Sequence, residues 1–259
     1  MLVRLSLASV AVLAVSLSST SCTKEGCLAG EAGCVVPSPC TQLAFTCSDN
    51  SVDVKIISDV ATEVPGGLDS MGAVGDILLE NSKVQAVIDS IDHPADLAPT
   101  GGALLDLADR GRDDDSINHI FQAVGALPTD AVAYTSSQII DGDGIKAVQF
   151  NGHLVGDVHQ RVYTRYEIRP CEPGVRVRTE MINDSDDTVV WSNADGFWWG
   201  GRSMLPFTPT PGEGYAHPAF GLSTLNDVFR SMPFLVGASH SDPASAIAVV
   251  ACNIDHIDG

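Results

Sequence analysis

Apolar and polar side chains alternate most regularly in the stretch RVYTRYEIRPCEPGVRVRTEM, residues 161–181. Two alternating runs flank the segment 170–174, which is rich in the residues that end strands and form turns. A period of two places every second side chain on the same face of a strand, so the stretch predicts an antiparallel hairpin with one buried face. The predicted buried set is Val162, Thr164, Tyr166, Ile168, Val175, Val177, Thr179 and Met181.

Strand-like runs continue on both sides of this hairpin. Two segments have apolar residues at helical spacing instead, 117–124 and 225–232, and the first follows an acidic run that could cap a helix. We therefore expect a mainly β fold, a large antiparallel β-sandwich with two or so short helices. The predicted hairpins pair 77–80 with 84–89 and 131–140 with 145–150, and the predicted single strands are 52–57, 188–192 and 246–250.

The length and the net charge of the chain limit the kinds of function that the protein can have. The chain has 259 residues and a formal net charge of −19, which makes binding to nucleic acid or to an anionic bilayer surface unfavourable. The length fits one large β domain with a short appendage, and we place the sandwich at 51–259. The last residues contain no recognisable terminating element, which leaves open that the sandwich is truncated at its C-terminus.

The N-terminal residues predict export. Arg4 precedes an apolar run, and small residues then lead to Cys22, the pattern of a signal peptide over residues 1–21. Small residues directly before a cysteine also resemble a bacterial lipobox, although Ser19 stands where a lipobox usually has leucine. We expect lipidation of Cys22 and a lipid anchor in the bacterial cell envelope, at the outer membrane or surface. Ordinary signal cleavage without lipidation is the alternative.

The cysteines also fit an exported chain. Six follow Cys22, and an even number indicates up to three disulfides. Four of the six lie within 22–50, which we interpret as a disulfide-stapled linker, and we expect Cys171 to pair with Cys252. A zinc site is disfavoured because the cluster lacks closely spaced cysteine pairs. The disulfide candidates are Cys27, Cys34, Cys40, Cys47, Cys171 and Cys252.

An aromatic stretch around residues 195–202 is the candidate ligand site. Tryptophan rings stack on the apolar faces of sugars while a neighbouring acid and base bind hydroxyls. The alternative is that the tryptophans only pack, one in the core and one over a sheet edge. The residues predicted to bind a ligand are Asp195, Trp198, Trp199, Arg202 and Tyr215.

Two further groups of polar residues have both a functional and a structural interpretation. Glu213 and His217 lie in a Gly-rich loop and could act as a general acid/base pair, or the loop could be structural. Five arginines within 161–178 could bind an anionic ligand such as an acidic sugar. Otherwise they pair with glutamates on a solvated face.

No metal or other cofactor is expected. The seven histidines are scattered and match no metal-binding motif. Acidic runs at 109–115, 141–143 and 184–187 leave structural calcium as an alternative, although none has the spacing of a complete calcium loop.

Four stretches carry a resemblance to a known family: 75–81, 99–102, 164–171 and 194–200. With them, residues 72–252 resemble the galactose mutarotase-like β-supersandwich found in exported proteins of predatory and soil bacteria. In those proteins the region often precedes carboxypeptidase-regulatory-like repeats or a PHP-type metal-dependent phosphoesterase domain. The resemblance implies a histidine acid and a glutamate base in one cleft, for which His217 and Glu213 are the nearest residues. The PHP histidine motifs are absent from this sequence.

The sequence as a whole predicts an exported, lipid-anchored envelope protein that binds carbohydrate or another envelope component without catalysis. One alternative is a sugar epimerase or glycan-processing enzyme that uses the same cleft. Another is an accessory domain of a larger surface metallohydrolase.

Overall fold

The computed structural model describes residues 43–67, 69–95, 98–124, 128–142, 145–191, 194–198, 204–207, 234–239 and 246–250. Strands dominate these residues, which confirms the predicted mainly β class. The strands are β1 (Val52–Ile56), β2 (Ile77–Asn81), β3 (Val84–Ile88), β4 (Leu104–Asp109), β5 (His119–Ala123), β6 (Val132–Gly142), β7 (Ile145–Leu154), β8 (Gln160–Ile168), β9 (Arg176–Asn183), β10 (Ala194–Trp198), β11 (Met204–Phe207), β12 (Phe234–Ser239) and β13 (Ala246–Val250).

One short α-helix lies in the described part of the chain, α1 (Val60–Glu63), together with a 3-10 turn at Pro128–Asp130. Asp59 caps α1 by accepting a hydrogen bond from the backbone N–H of Ala61 at 3.1 Å. No helix among the described residues has the length and apolar character that crossing a bilayer requires.

The strands form three antiparallel sheets. A six-stranded sheet has the order β1-β2-β3-β4-β5-β10, a four-stranded sheet the order β6-β7-β8-β9, and a three-stranded sheet the order β11-β12-β13. The chain therefore leaves the first sheet after β5, builds the second sheet, and returns to add β10 beside β5.

The core lies between the six-stranded and four-stranded sheets. Leu79 and Ile88 of the first sheet belong to the same buried cluster as Val148, Phe150 and Tyr166 of the second. Burying each such large side chain contributes about 1.5–3 kcal/mol. This shared cluster joins the two sheets face to face, as a β-sandwich requires.

The other face of the six-stranded sheet has a smaller apolar cluster. Leu78 and Val87, which alternate with the core residues of β2 and β3, contact Ile57 and the partly buried Val64. The segment between β1 and β2 thus covers part of this second face.

The three predicted hairpins are confirmed as β2–β3, β6–β7 and β8–β9. In β8 the inward set Val162, Thr164, Tyr166 and Ile168 is fully buried, as predicted. In β9, however, Val177 remains 39% exposed. Since β9 is the outermost strand of its sheet in the described residues, the opposing sheet covers its inner face only partly.

The helix predicted at 117–124 is wrong, because this segment contains strand β5. Ile120 and Val124 do enter the core, but through pairing of β5 with β4 and β10. The β-branched residues favour an extended chain, and the tertiary pairing outweighs an apolar spacing that also suits a helix.

The predicted strand 188–192 is not formed in its described residues, 188–191. The helix predicted at 225–232 lies outside the described residues.

The predicted Cys171–Cys252 disulfide is also wrong. Cys171 is bonded to Cys47, with a Cα–Cα distance of 5.5 Å. The bond joins the segment before β1 to the turn between β8 and β9, across 124 positions of sequence. Cys47 therefore belongs to the sandwich domain and not to a separate stapled linker.

Candidate functional site

Strand β10 carries the described part of the predicted ligand stretch. It pairs antiparallel with β5, so that Asp195 is opposite Gln122 and Trp198 is opposite His119. Gly196 lies opposite Phe121, and a Cβ at Gly196 would come within 2.5 Å of the Phe121 ring. Glycine is therefore needed at this position for the two strands to approach.

A small cavity lies beside this strand pair, with room for about one water molecule. Its lining includes Phe121 and Gln122 of β5, Tyr134 of β6 and the loop 98–103. Gln122 thus connects the cavity to β10, because it also pairs with Asp195.

The Gln122 side chain lies beside two tyrosine hydroxyls. Its Oε1 lies 2.9 Å from the Tyr166 hydroxyl and 3.3 Å from the Tyr134 hydroxyl. Its Nε2 is buried without a hydrogen-bond partner among the described residues. An unpaired buried polar group costs about 1–3 kcal/mol, so a water molecule or a ligand oxygen accepting from Nε2 would be stabilising.

The loop at the cavity is fixed by hydrogen bonds to both sheets. The Tyr166 hydroxyl donates to the carbonyl of Gly102 at 2.6 Å, and the Tyr134 N–H donates to Thr100 Oγ1 at 2.9 Å. The Asp89 carboxylate accepts from the backbone N–H groups of Gly102 and Ala103. The cavity wall is therefore attached to β6, to β8 and to Asp89, the residue that follows β3.

Asp89 is one of four aspartates that are fully buried around the six-stranded sheet. Burial raises the pKa of Asp89 to about 7, although the N–H groups of Ala103 and Gly102 oppose the shift. The whole set is Asp76, Asp89, Asp106 and Asp115. No sequence motif marks these residues, because a single aspartate in or near a strand resembles an exposed polar residue.

Two of these aspartates anchor loops on the second face of the sheet. Asp106 accepts from the N–H groups of Met71 at 2.7 Å and Gly72 at 2.9 Å. Burial raises the pKa of Asp106 to about 6. Burial also raises the pKa of Asp115 to about 8, and the nearby carboxylate of Asp106 adds to that shift. Asp115 accepts from the N–H of Leu107 at 2.8 Å, while its Oδ2 is buried without a partner in the described chain. These contacts indicate a structural role for both aspartates.

The acidic runs do not form a metal site in the described chain. Within the described ranges, no group of three or more His, Cys, Asp or Glu side chains is arranged to hold a metal ion. Their carboxylates have other partners: Asp141 pairs with Lys146, Asp184 with Arg161, and Asp114 accepts from the N–H of Asp109 at 3.1 Å. Asp143 lies outside the described residues.

The five arginines of the β8–β9 region all pair with acids. Arg165 and Arg169 share Glu167, while Arg178 lies 2.7 Å from Glu180. Arg161 pairs with Asp184, and Arg176 with Glu172. Each of these pairs contributes about 0.2–1 kcal/mol to stability where it is exposed.

The remaining predicted site residues lie outside the described chain. For Asp195 and Trp198 the backbone register is defined. The positions outside are Cys22, Cys27, Cys34, Cys40, Trp199, Arg202, Glu213, Tyr215, His217 and Cys252.

Residue-pattern reasoning missed Gln122 and Tyr134. Tyr166 was predicted to be buried, but the alternation of its strand does not indicate that its hydroxyl lies beside a glutamine of the other sheet. The signal that could have indicated the cavity is the turn sequence 99–102, because two consecutive glycines allow the backbone to approach other elements closely.

In comparisons with known proteins, the chain matches no family model, no curated protein and no solved structure.

Proposed function

We propose that this chain is an exported, lipid-anchored protein of the bacterial cell envelope that binds carbohydrate or another envelope component without catalysis. The observation that carries the proposal is the position of Gln122. It lines the cavity with an unpartnered buried amide nitrogen, and it pairs in register with Asp195 of the aromatic strand β10.

Carbohydrate fits this arrangement chemically. A sugar hydroxyl can accept a hydrogen bond from Gln122 Nε2, and Asp195, the residue opposite Gln122 in the strand ladder, is of a type that accepts hydrogen bonds from hydroxyls. The cavity admits a group of about the size of one hydroxyl, so most of a bound sugar would lie outside it, along β10. The proposed site is therefore a shallow surface with one deep polar contact.

The test is a titration of the full chain with envelope and plant oligosaccharides, followed by intrinsic tryptophan fluorescence. We expect a saturable change in the wild type, and a dissociation constant at least tenfold higher in Gln122→Leu. A tenfold change corresponds to about 1.4 kcal/mol of binding free energy.

Gln160→Leu is the matched control. Gln160 is also a buried glutamine with one unpartnered polar atom in the described chain, but it lies at the start of β8, away from the cavity lining. It should lower stability without changing affinity. A folded wild type that responds to no glycan contradicts the proposal, and sugar turnover would contradict the non-catalytic part of it.

A further inference from the structure

Part of the outward side of the four-stranded sheet is polar, and we call this part the outer polar face. Cross-strand pairing arranges its side chains in two adjacent rows. The first row is Gln138, Gln149, Arg165 and Arg178, and the second row is Ser136, Asn151, Tyr163 and Glu180.

Hydrogen bonds hold the amides of this face in fixed positions. Gln149 Nε2 donates to Asn151 Oδ1 at 2.9 Å, and Asn151 Nδ2 donates to Ser136 Oγ at 3.1 Å. The opposite side of the same strands is the buried core, where Phe150 and Thr164 lie. The polar groups therefore stand on a rigid base and lose little conformational freedom when they bind a ligand.

The face is locally positive in a strongly acidic protein. Residues 160–184 contain five arginines, three glutamates and Asp184, which pairs with Arg161, a local charge of +1, whereas the whole chain carries −19. Arg165 is directly opposite Arg178 in the ladder, and like charges in this position repel. Glu167 is shared between Arg165 and Arg169, and Glu180 pairs with Arg178, so these three arginines face two glutamates.

We propose that the outer polar face binds an acidic polysaccharide. The carboxylate of a uronic acid unit lies between Arg165 and Arg178, and the amides of Gln138 and Gln149 bind hydroxyls of neighbouring sugars. The inference rests on the proposed function in that the ligand is a glycan. It places the contact on the opposite sheet from β10 and names the class of glycan.

The composition of the rows favours a glycan over other polyanions. Side chains in one row are spaced by about 4.8 Å, so they offer a flat, repeating series of donors and acceptors. A uronic acid polymer has one carboxylate and several hydroxyls per unit, which suits two arginines among amides. Nucleic acid carries a charge on every phosphate and is bound through many cations, whereas the two rows contain only two arginines.

Screening allows a local positive surface to act in an acidic protein. The Debye length is about 8 Å at physiological ionic strength, so distant carboxylates contribute little at the face. The same argument requires binding to weaken as salt is added, because the two guanidinium groups are partly exposed.

The experiment measures binding of the full chain to polygalacturonate oligomers and to neutral malto-oligosaccharides by calorimetry. The test variant is Arg165→Gln/Arg178→Gln, with Arg178→Gln alone as a variant that cannot disturb the core, since that side chain is 76% exposed. The control is Arg110→Gln/Arg112→Gln, which removes the same charge between β4 and β5 of the other sheet.

We expect polygalacturonate to bind the wild type, to bind the double variant at least tenfold more weakly, and to bind the control within twofold of the wild type. Arg178→Gln should weaken binding by a smaller factor. Added salt should weaken wild-type binding.

Three results would overturn the inference. If both glycans bind and the Arg165→Gln/Arg178→Gln change has no effect, the proposed function stands but the outer polar face is not the site. If polyphosphate or polyglutamate binds as tightly as polygalacturonate, the choice of an acidic glycan is wrong. If folded protein binds no glycan, both the inference and the proposed function fail.

Discussion

At the scale of single residues, Gly102 shows why the cavity loop has its sequence. Its φ is +103°, a backbone conformation that residues with a side chain rarely adopt. A Cβ at this position would also lie 2.4 Å from the Tyr134 ring. Both conditions exclude a side chain, so the loop can pass over the cavity only with glycine there.

Gly102→Ala should therefore destabilise the protein more than an alanine at another glycine with positive φ. Gly111 has φ +75°, and no atom lies within 4 Å of the position that a Cβ would take there, so Gly111→Ala should cost only the backbone strain, about 1–2 kcal/mol. Gly102→Ala adds overpacking against Tyr134, a further cost of about 1–3 kcal/mol. Denaturant unfolding of both variants measures the difference, and equal costs would contradict the close contact.

At the scale of elements, the sequence predicts pairing between neighbouring strands better than pairing between strands that are far apart in the chain. The hairpins β2–β3, β6–β7 and β8–β9 were predictable because alternation and turn residues lie within one short stretch. The pairing of β5 with β10 was not, since the whole second sheet separates them in sequence and nothing in either strand specifies the other. The candidate site depends on this pairing, which is why sequence patterns located Asp195 and Trp198 but not Gln122.

The Cys47–Cys171 bond is a second long-range link, and its loss should lower stability. In the chain-entropy model, a bond that closes a loop of about 100 residues contributes about 4.7 kcal/mol, and measured losses are about 2–5 kcal/mol. Cys47→Ser and Cys171→Ser should each lower the free energy of unfolding, and the double variant should lose no more than either single variant. Peptide mapping that links Cys171 to Cys252 instead would contradict the pairing.

At the scale of the whole molecule, the buried aspartates make stability depend on pH. The pKa values of Asp89, Asp106 and Asp115 are raised to about 7, 6 and 8 in the folded protein, above the ordinary value of 3.8. Between about pH 4 and pH 8 the folded state therefore holds protons that the unfolded state has lost. Stability is greatest at the acidic end of this window and falls as the pH rises, by up to about 1.4 kcal/mol per pH unit for each group.

The free energy of unfolding should accordingly be lower at about pH 8 than at about pH 5. Asp115→Asn should reduce this difference, because asparagine does not titrate. Asp157→Asn is the control: the pKa of Asp157 is lowered from 3.8 by the N–H of His159, so its titration lies below the window and the pH dependence should remain. Denaturant unfolding at both pH values measures the slopes, and a stability that rises across this interval would contradict the raised pKa values.

The return of the chain to the first sheet also determines the order in which the protein can be assembled. Strands β1 to β5 can pair as soon as they are synthesised, but their sheet stays incomplete until β6 to β9 have formed and β10 arrives. Closing a long loop is entropically costly, so this contact belongs to the late stage of folding. Ligand binding at β10 would then report that assembly is complete. A chain ending at Asn183 would have both halves of the sandwich core and the outer polar face, but not the site at β10.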